Sequence, residues 1–173
     1  MNAVGLLVLS SNFLLPAVAA EVGAGGRLVA VPLVLVVDAV PGTEMRGVAF
    51  YDERGRQIYS KGVMRQKNRE VLAFGPTRIP LSVRVIWREN PTPVWGKTGG
   101  IDYEGKIIGD HTLEVAQRIP DEVLTEIRSH GGSLRLKFRL MPDGVLFGWD
   151  IELPGGSIST FALPGGDFLD TRY

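Results

Sequence analysis

Two histidines, His111 and His130, are the side chains best suited to proton transfer near neutral pH in a chain of 173 residues that has no cysteine. Asp110 precedes His111, but neighbours along a strand point to opposite faces, so the two make a poor acid–base dyad. His130 closes a helical segment, where a cation complements the negative end of the helix dipole. A serine nucleophile calls for a Gly-x-Ser-x-Gly elbow, which is absent; Gly131-Gly132-Ser133 and Gly155-Gly156-Ser157 read as turns. Gly96-Lys97-Thr98 matches the end of a phosphate-binding loop, but the glycine required five residues before Gly96 is Pro91. Gly23-Ala24-Gly25-Gly26-Arg27-Leu28 lacks the last glycine of a dinucleotide fingerprint. Gly165-Gly166-Asp167-Phe168 matches part of the signature loop of cyclic-dinucleotide synthases, over a length that chance supplies easily. One carboxylate set remains, Asp102, Glu104 and Asp110 in the glycine-rich middle. A small carboxylate enzyme built on it requires the three to converge in one pocket with shifted pKa values. The leading expectation is instead a non-enzymatic protein with no catalytic residue, no cofactor and no metal.

Binding chemistry is better represented. Asn90 to Gly100 holds Pro91, Pro93, Gly96 and Gly99 around Trp95, and is expected to be a loop long enough to be functional. An exposed tryptophan there suits a binding anchor, and packing of the loop back onto the body is the competing expectation. Trp95, Lys97, Asp102, Tyr103 and Glu104 are therefore the expected partner-binding residues. A basic stripe, Arg135, Lys137 and Arg139, is expected to be the solvated face of an amphipathic strand, with Asp150 and Glu152 available to pair with it. Nineteen basic side chains balance nineteen acidic ones, so whole-molecule attraction to nucleic acid is not expected. RNA binding would also want aromatics among those bases, and Phe138 faces the other way.

The elements that must position these residues are mostly strands. Glycine (22) and proline (11) favour short strands joined by turns. The clearest unit is a hairpin over 133–153. Leu134, Leu136, Phe138 and Leu140 alternate with the basic stripe, Met141-Pro142-Asp143-Gly144 turns, and Val145, Phe147, Trp149 and Ile151 return. Leu28 to Val37 reads as a strand in which Pro32 implies an edge or a bulge. Met45 to Tyr51 and Gln57 to Met64 form a hairpin about Asp52-Glu53-Arg54-Gly55, and Arg65 to Glu70 is a charged turn or a short helical piece. Leu81 to Arg88, Tyr103 to Ile108 and Thr112 to Gln117 are further strands, and Ser157 to Ala162 offers a last one before a Pro164-Gly165-Gly166 tail.

One short helix is expected over residues 120–130. Pro120 suits a first helical position, Asp121 and Glu122 match the positive end of the dipole, and Gly131 supplies the stop. The fold class that follows is mainly β, an antiparallel sandwich or strongly curved sheet with this helix before the central hairpin.

Residues 1–20 form an uncharged apolar run that ends in Pro16 and small residues, the pattern of a signal peptide although no Lys or Arg precedes it. An uncleaved membrane anchor and a buried first element are the alternatives, and residues 21–173 then form a single β-rich domain. Three pieces in order carry a family resemblance: Pro80-Leu81-Ser82-Val83-Arg84-Val85-Ile86-Trp87, Arg118-Ile119-Pro120-Asp121-Glu122-Val123-Leu124, and the Pro-Asp-Gly hairpin bearing Trp149. Over roughly residues 45–153 the chain resembles an uncharacterised group of Gram-negative envelope lipoproteins, some of them immunity proteins that neutralise type VI secretion lipase effectors. The chain lacks that family's lipidation cysteine, which bears on membrane anchoring and not on export. The resemblance implies a periplasmic or envelope protein that binds a toxin effector such as a lipase and has no catalytic activity of its own. A structural subunit joined to other chains through sheet edges is the third expectation.

Overall fold

The computed structural model describes residues 32–65, 78–96, 100–155 and 160–170, and the backbone alone of 70–74. Two sheets face each other. One has the strand order β4-β1-β7-β8-β9, the other β3-β2-β5-β6. The strands are β1 (Leu33–Ala39), β2 (Glu44–Asp52), β3 (Gln57–Arg65), β4 (Glu70–Phe74), β5 (Ser82–Trp95), β6 (Ile101–Glu114), β7 (Ser133–Met141), β8 (Gly144–Leu153) and β9 (Thr160–Gly166). A β sandwich with one short helix, as expected, is what this chain forms.

Alternation explains the inner faces. Leu33, Leu35 and Val37 of β1, Leu134, Leu136 and Phe138 of β7, and Phe147 and Ile151 of β8 are buried against Val48, Phe50, Val83, Val85 and Trp87 of the other sheet. Edge-on aromatic contacts tie the layers, with Phe50 and Phe138 ring centres 5.3 Å apart. The helix α1 (Asp121–His130) adds Val123, Leu124 and Ile127 to the same core. Pro120 is its N-cap, in extended conformation, rather than its first helical residue. Gly131 ends it at φ 80° with its N–H on the Ile127 carbonyl, a backbone state that glycine takes without a Cβ penalty. At the same end the His130 ring meets Glu126 at 3.0 Å.

Several expectations need correction. Of the expected strand over 28–37, residues 28–31 lie outside the described residues, and β1 is no edge strand: it lies between β4 and β7, and pairs with β7 in parallel. Its continuous apolar run fits a strand buried on both faces. The charged stretch after β3 leads into a strand the sequence reading missed, β4, whose backbone pairs Phe74 with Leu33; residues 66–69 lie outside the described residues. Thr112 to Gln117 is not a separate strand, since β6 runs unbroken from Ile101 to Glu114 and a 3-10 turn follows at Ala116–Arg118. The tail over 164–166 is part of β9.

The largest correction concerns the basic stripe. Arg135 and Lys137 are wholly buried, not solvated. A side chain of β9 and the chain that follows β9 cover them on the outer face of the β7–β8 hairpin. Phe161 lies over the Arg135 guanidinium, 3.7 Å from carbon to ring centre, and Phe168 lies over Lys137 and Arg139. Gly148 leaves the room: a Cβ there would come within 2.9 Å of the Phe168 carbonyl oxygen. Asp167 pins the crossing by accepting the Phe147 N–H at 2.9 Å and a bond from the Arg118 guanidinium.

Candidate functional site

Where the expected loop over 90–100 is described, it is largely strand instead, with residues 97–99 outside the described residues. β5 continues through Trp95, and β6 starts at Ile101 directly opposite it. The first part of β5 pairs with β2 and β6 together, whereas its distal half pairs with β6 alone. That half is an edge, and an edge tolerates the missing N–H groups of Pro91 and Pro93. Asn90 takes φ 46° beside the bulges that break the β5–β6 register, and the hairpin bends there over β2 and β3. Gly47 permits the approach, because a Cβ at that position would press within 2.6 Å of the Pro91 ring.

Two contacts brace the bent hairpin. The Ser60 hydroxyl of β3 donates to the Ile101 carbonyl at 2.9 Å. The Tyr103 side chain lies on Gly62 of β3, close enough that a Cβ there would meet its hydroxyl. Tyr59, buried beneath, has its pKa raised first by burial and then by the neighbouring Tyr103. Lower down, Trp87 fills the space left by Gly109 of β6, where any Cβ would run into the indole. His111 stacks on the same indole at 5.0 Å. Asp110 points away from it and accepts two bonds from Arg84, at 2.8 and 2.6 Å, and the Arg84 guanidinium holds its carboxyl below the usual range.

The end of this hairpin carries the most exposed large apolar side chain of the described residues. Trp95 is 84% exposed, and its cross-strand neighbour Ile101 is 50% exposed. Gly96 donates to the Gly100 carbonyl at 2.8 Å and holds the arms together just beyond them. The expected binding residues divide here by strand parity. Trp95 and Tyr103 share one face, while Asp102 and Glu104 share the other. Tyr103 is a brace against β3 rather than free surface, and Lys97 lies outside the described residues. Ile101 is the residue the sequence reading missed. Its only signal is its register opposite Trp95, which a loop assignment conceals.

The carboxylate set does not converge. Asp102 lies near the start of β6 and Asp110 near its far end, beyond the bulged part of the hairpin, and Asp110 is committed to Arg84. Among the described residues no group of three or more His, Asp or Glu is placed to hold a metal, and no helix is long and apolar enough to cross a membrane. The apolar segment over 1–20 lies outside the described residues. Set against known protein families, curated proteins and solved structures, the chain matches none of them.

Proposed function

We propose that this is a non-enzymatic binding protein that engages a protein partner through the distal end of the β5–β6 hairpin. The observation that carries the reading is the Trp95–Ile101 pair, exposed apolar surface on a backbone braced to β3. An anchor held by its scaffold loses little entropy when it is buried by a partner. The acidic face of the same hairpin, Asp102 and Glu104, would then set the partner's charge. Support for an envelope location comes from the apolar leader. The resemblance of the Pro80–Trp87 strand, the Arg118–Leu124 segment and the Trp149 hairpin supports a finer version, an immunity protein that blocks a secreted lipase effector.

The test is direct titration of the protein with the effector encoded beside it. The reading expects a saturable complex and loss of lipase activity, and W95A should weaken the complex at least tenfold. A neighbouring effector that is neither bound nor inhibited removes the immunity version. The assembly reading draws on one specific observation: β6 is the edge strand of its sheet and keeps Ile107 and Ile108 exposed. Sedimentation separates the two, since a structural subunit would assemble with itself at micromolar concentration.

A further inference from the structure

A second candidate site lies between the sheets, at the end away from the Trp95 hairpin's tip. There the β2–β3 turn and the start of β5 stand apart from β1 and β7 and leave a cavity of about 130 Å³. Its floor is apolar: Leu33, Leu35, Val83, Leu136 and Phe138, each almost wholly buried. Its rim is charged, with Arg54, Arg56 and Arg78 set against Asp52 and Glu53. The two rim acids are spent on the fold. Asp52 accepts the N–H groups of Arg54 and Arg56 at 3.0 and 2.8 Å, and Arg56 Nε at 3.0 Å, which shapes the turn. Glu53 accepts the Leu81 N–H at 3.1 Å and ties that turn to the start of β5. Arg56 and Arg78 keep donors to spare. The Arg56 side chain is 75% exposed beyond its one bond to Asp52, and Arg78 is half-buried at the mouth with no ionic or hydrogen-bond partner among the described residues. Guanidinium groups read carboxylates through paired N–H bonds.

We infer that this cavity binds a small monocarboxylate with an apolar body, a short-chain acyl or aromatic acid, its carboxylate on Arg78 and its body on the Leu-Val-Phe floor. Size supports the match, since an apolar cavity of about 150 Å³ takes a benzene ring. The charge of the rim supports it too, because three arginines face two acids and the Asp52 carboxylate is already paired with Arg56. This site is independent of the hairpin surface and stands or falls without it.

Titrating the full chain with hexanoate and with benzoate, read through leucine and valine methyl resonances, tests it. The expected result is saturable shifts centred on Leu33, Leu35, Val83 and Leu136 at millimolar acid. R78A should weaken hexanoate binding about tenfold with an unchanged melting temperature, leave hexanol binding as it was, and spare the effector complex; W95A should leave the methyl shifts intact. Shifts absent at saturating acid, or hexanol binding as tightly as hexanoate to the unaltered protein, would overturn the proposal. So would R78A binding hexanoate undiminished.

Discussion

The β7–β8 and β5–β6 hairpins have similar sequence patterns and opposite fates. Both alternate charged with apolar side chains along their arms. In β7–β8 the charges are the buried layer: Arg135 bonds Asp150 at 2.5 and 2.7 Å, Lys137 meets the same carboxylate at 2.9 Å, and Arg139 meets Asp38 at 2.9 Å. In distal β5–β6 the charges stay wet and the exposed layer includes a tryptophan. The difference is what covers each hairpin. Phe161 of β9 and the chain over 167–170 cover the first, whereas among the described residues β2 and β3 brace the distal half of the second on one face and leave Trp95 and Ile101 open. Period-two alternation announces two faces, and it does not say which of them meets water.

The largest expected effect falls on the covered hairpin. D150A strands two cations in the interior and should cost about 3–5 kcal/mol, a large share of a domain's stability, seen as a lowered urea midpoint. Replacing the set together, Arg135→Leu, Lys137→Met and Asp150→Leu, should recover most of that loss, because a buried ion pair contributes little against a packed apolar substitute. A triple variant as unstable as D150A would mean that the ionic layer itself, not its neutrality, holds the fold. Burial holds Lys137 below the usual lysine range against the pull of Asp150, which agrees with a costly ionic layer.

Next in size is the crossing segment. D167A removes the bond to Arg118 and the acceptor for the Phe147 N–H, and should cost about 1–2 kcal/mol given that the ion pair is partly exposed. Its pH signature follows. The Arg118 bond, and then the Phe147 N–H, hold Asp167 below its ordinary 3.8. A carboxylate depressed in the folded state contributes stability above its unfolded pKa and loses it as pH falls through the folded value. Wild type should therefore lose this increment only below about pH 4, and D167N should lack that part of the acid limb. Trp149, whose indole lies against Gly165 of β9, reports the loosening by fluorescence.

Smaller effects belong to the open hairpin. Arg84→Ala or Asp110→Ala removes a cross-strand pair that is nearly half exposed on each side, and should cost about 0.2–1 kcal/mol, less in high salt. W95A should change stability by no more than about 0.5 kcal/mol, while removing the tryptophan most open to acrylamide, since Trp87 and Trp149 are buried.

The central hairpin, the β2–β3 hairpin and the helix were legible because local signals agreed: alternation, a Pro-Asp-Gly turn, an acidic start and a glycine stop. What escaped was set by distant chain. Arg135 and Lys137 read as wet because the residues that bury them, Phe161 and Phe168, lie beyond the hairpin and carry no periodic signal. Asn90 to Gly100 read as a loop because proline argues against a strand, and only the pairing shows that Pro91 and Pro93 sit on an unpaired side. Trp95 was legible as an exposed aromatic from its surroundings. Ile101 was not, because register decides its neighbour. The rim of the cavity joins residues 52–56 with 78, and only the turn bonds of Asp52 and Glu53 reveal which charges remain available.

The claim that matters most is that binding resides on the uncovered hairpin. Calorimetric titration of wild type and W95A with the purified neighbouring effector, at matched melting temperatures, tests it most directly. The account predicts a complex that W95A weakens by at least tenfold, roughly 1.4 kcal/mol or more. A complex of equal affinity with tryptophan and with alanine at position 95 would contradict it.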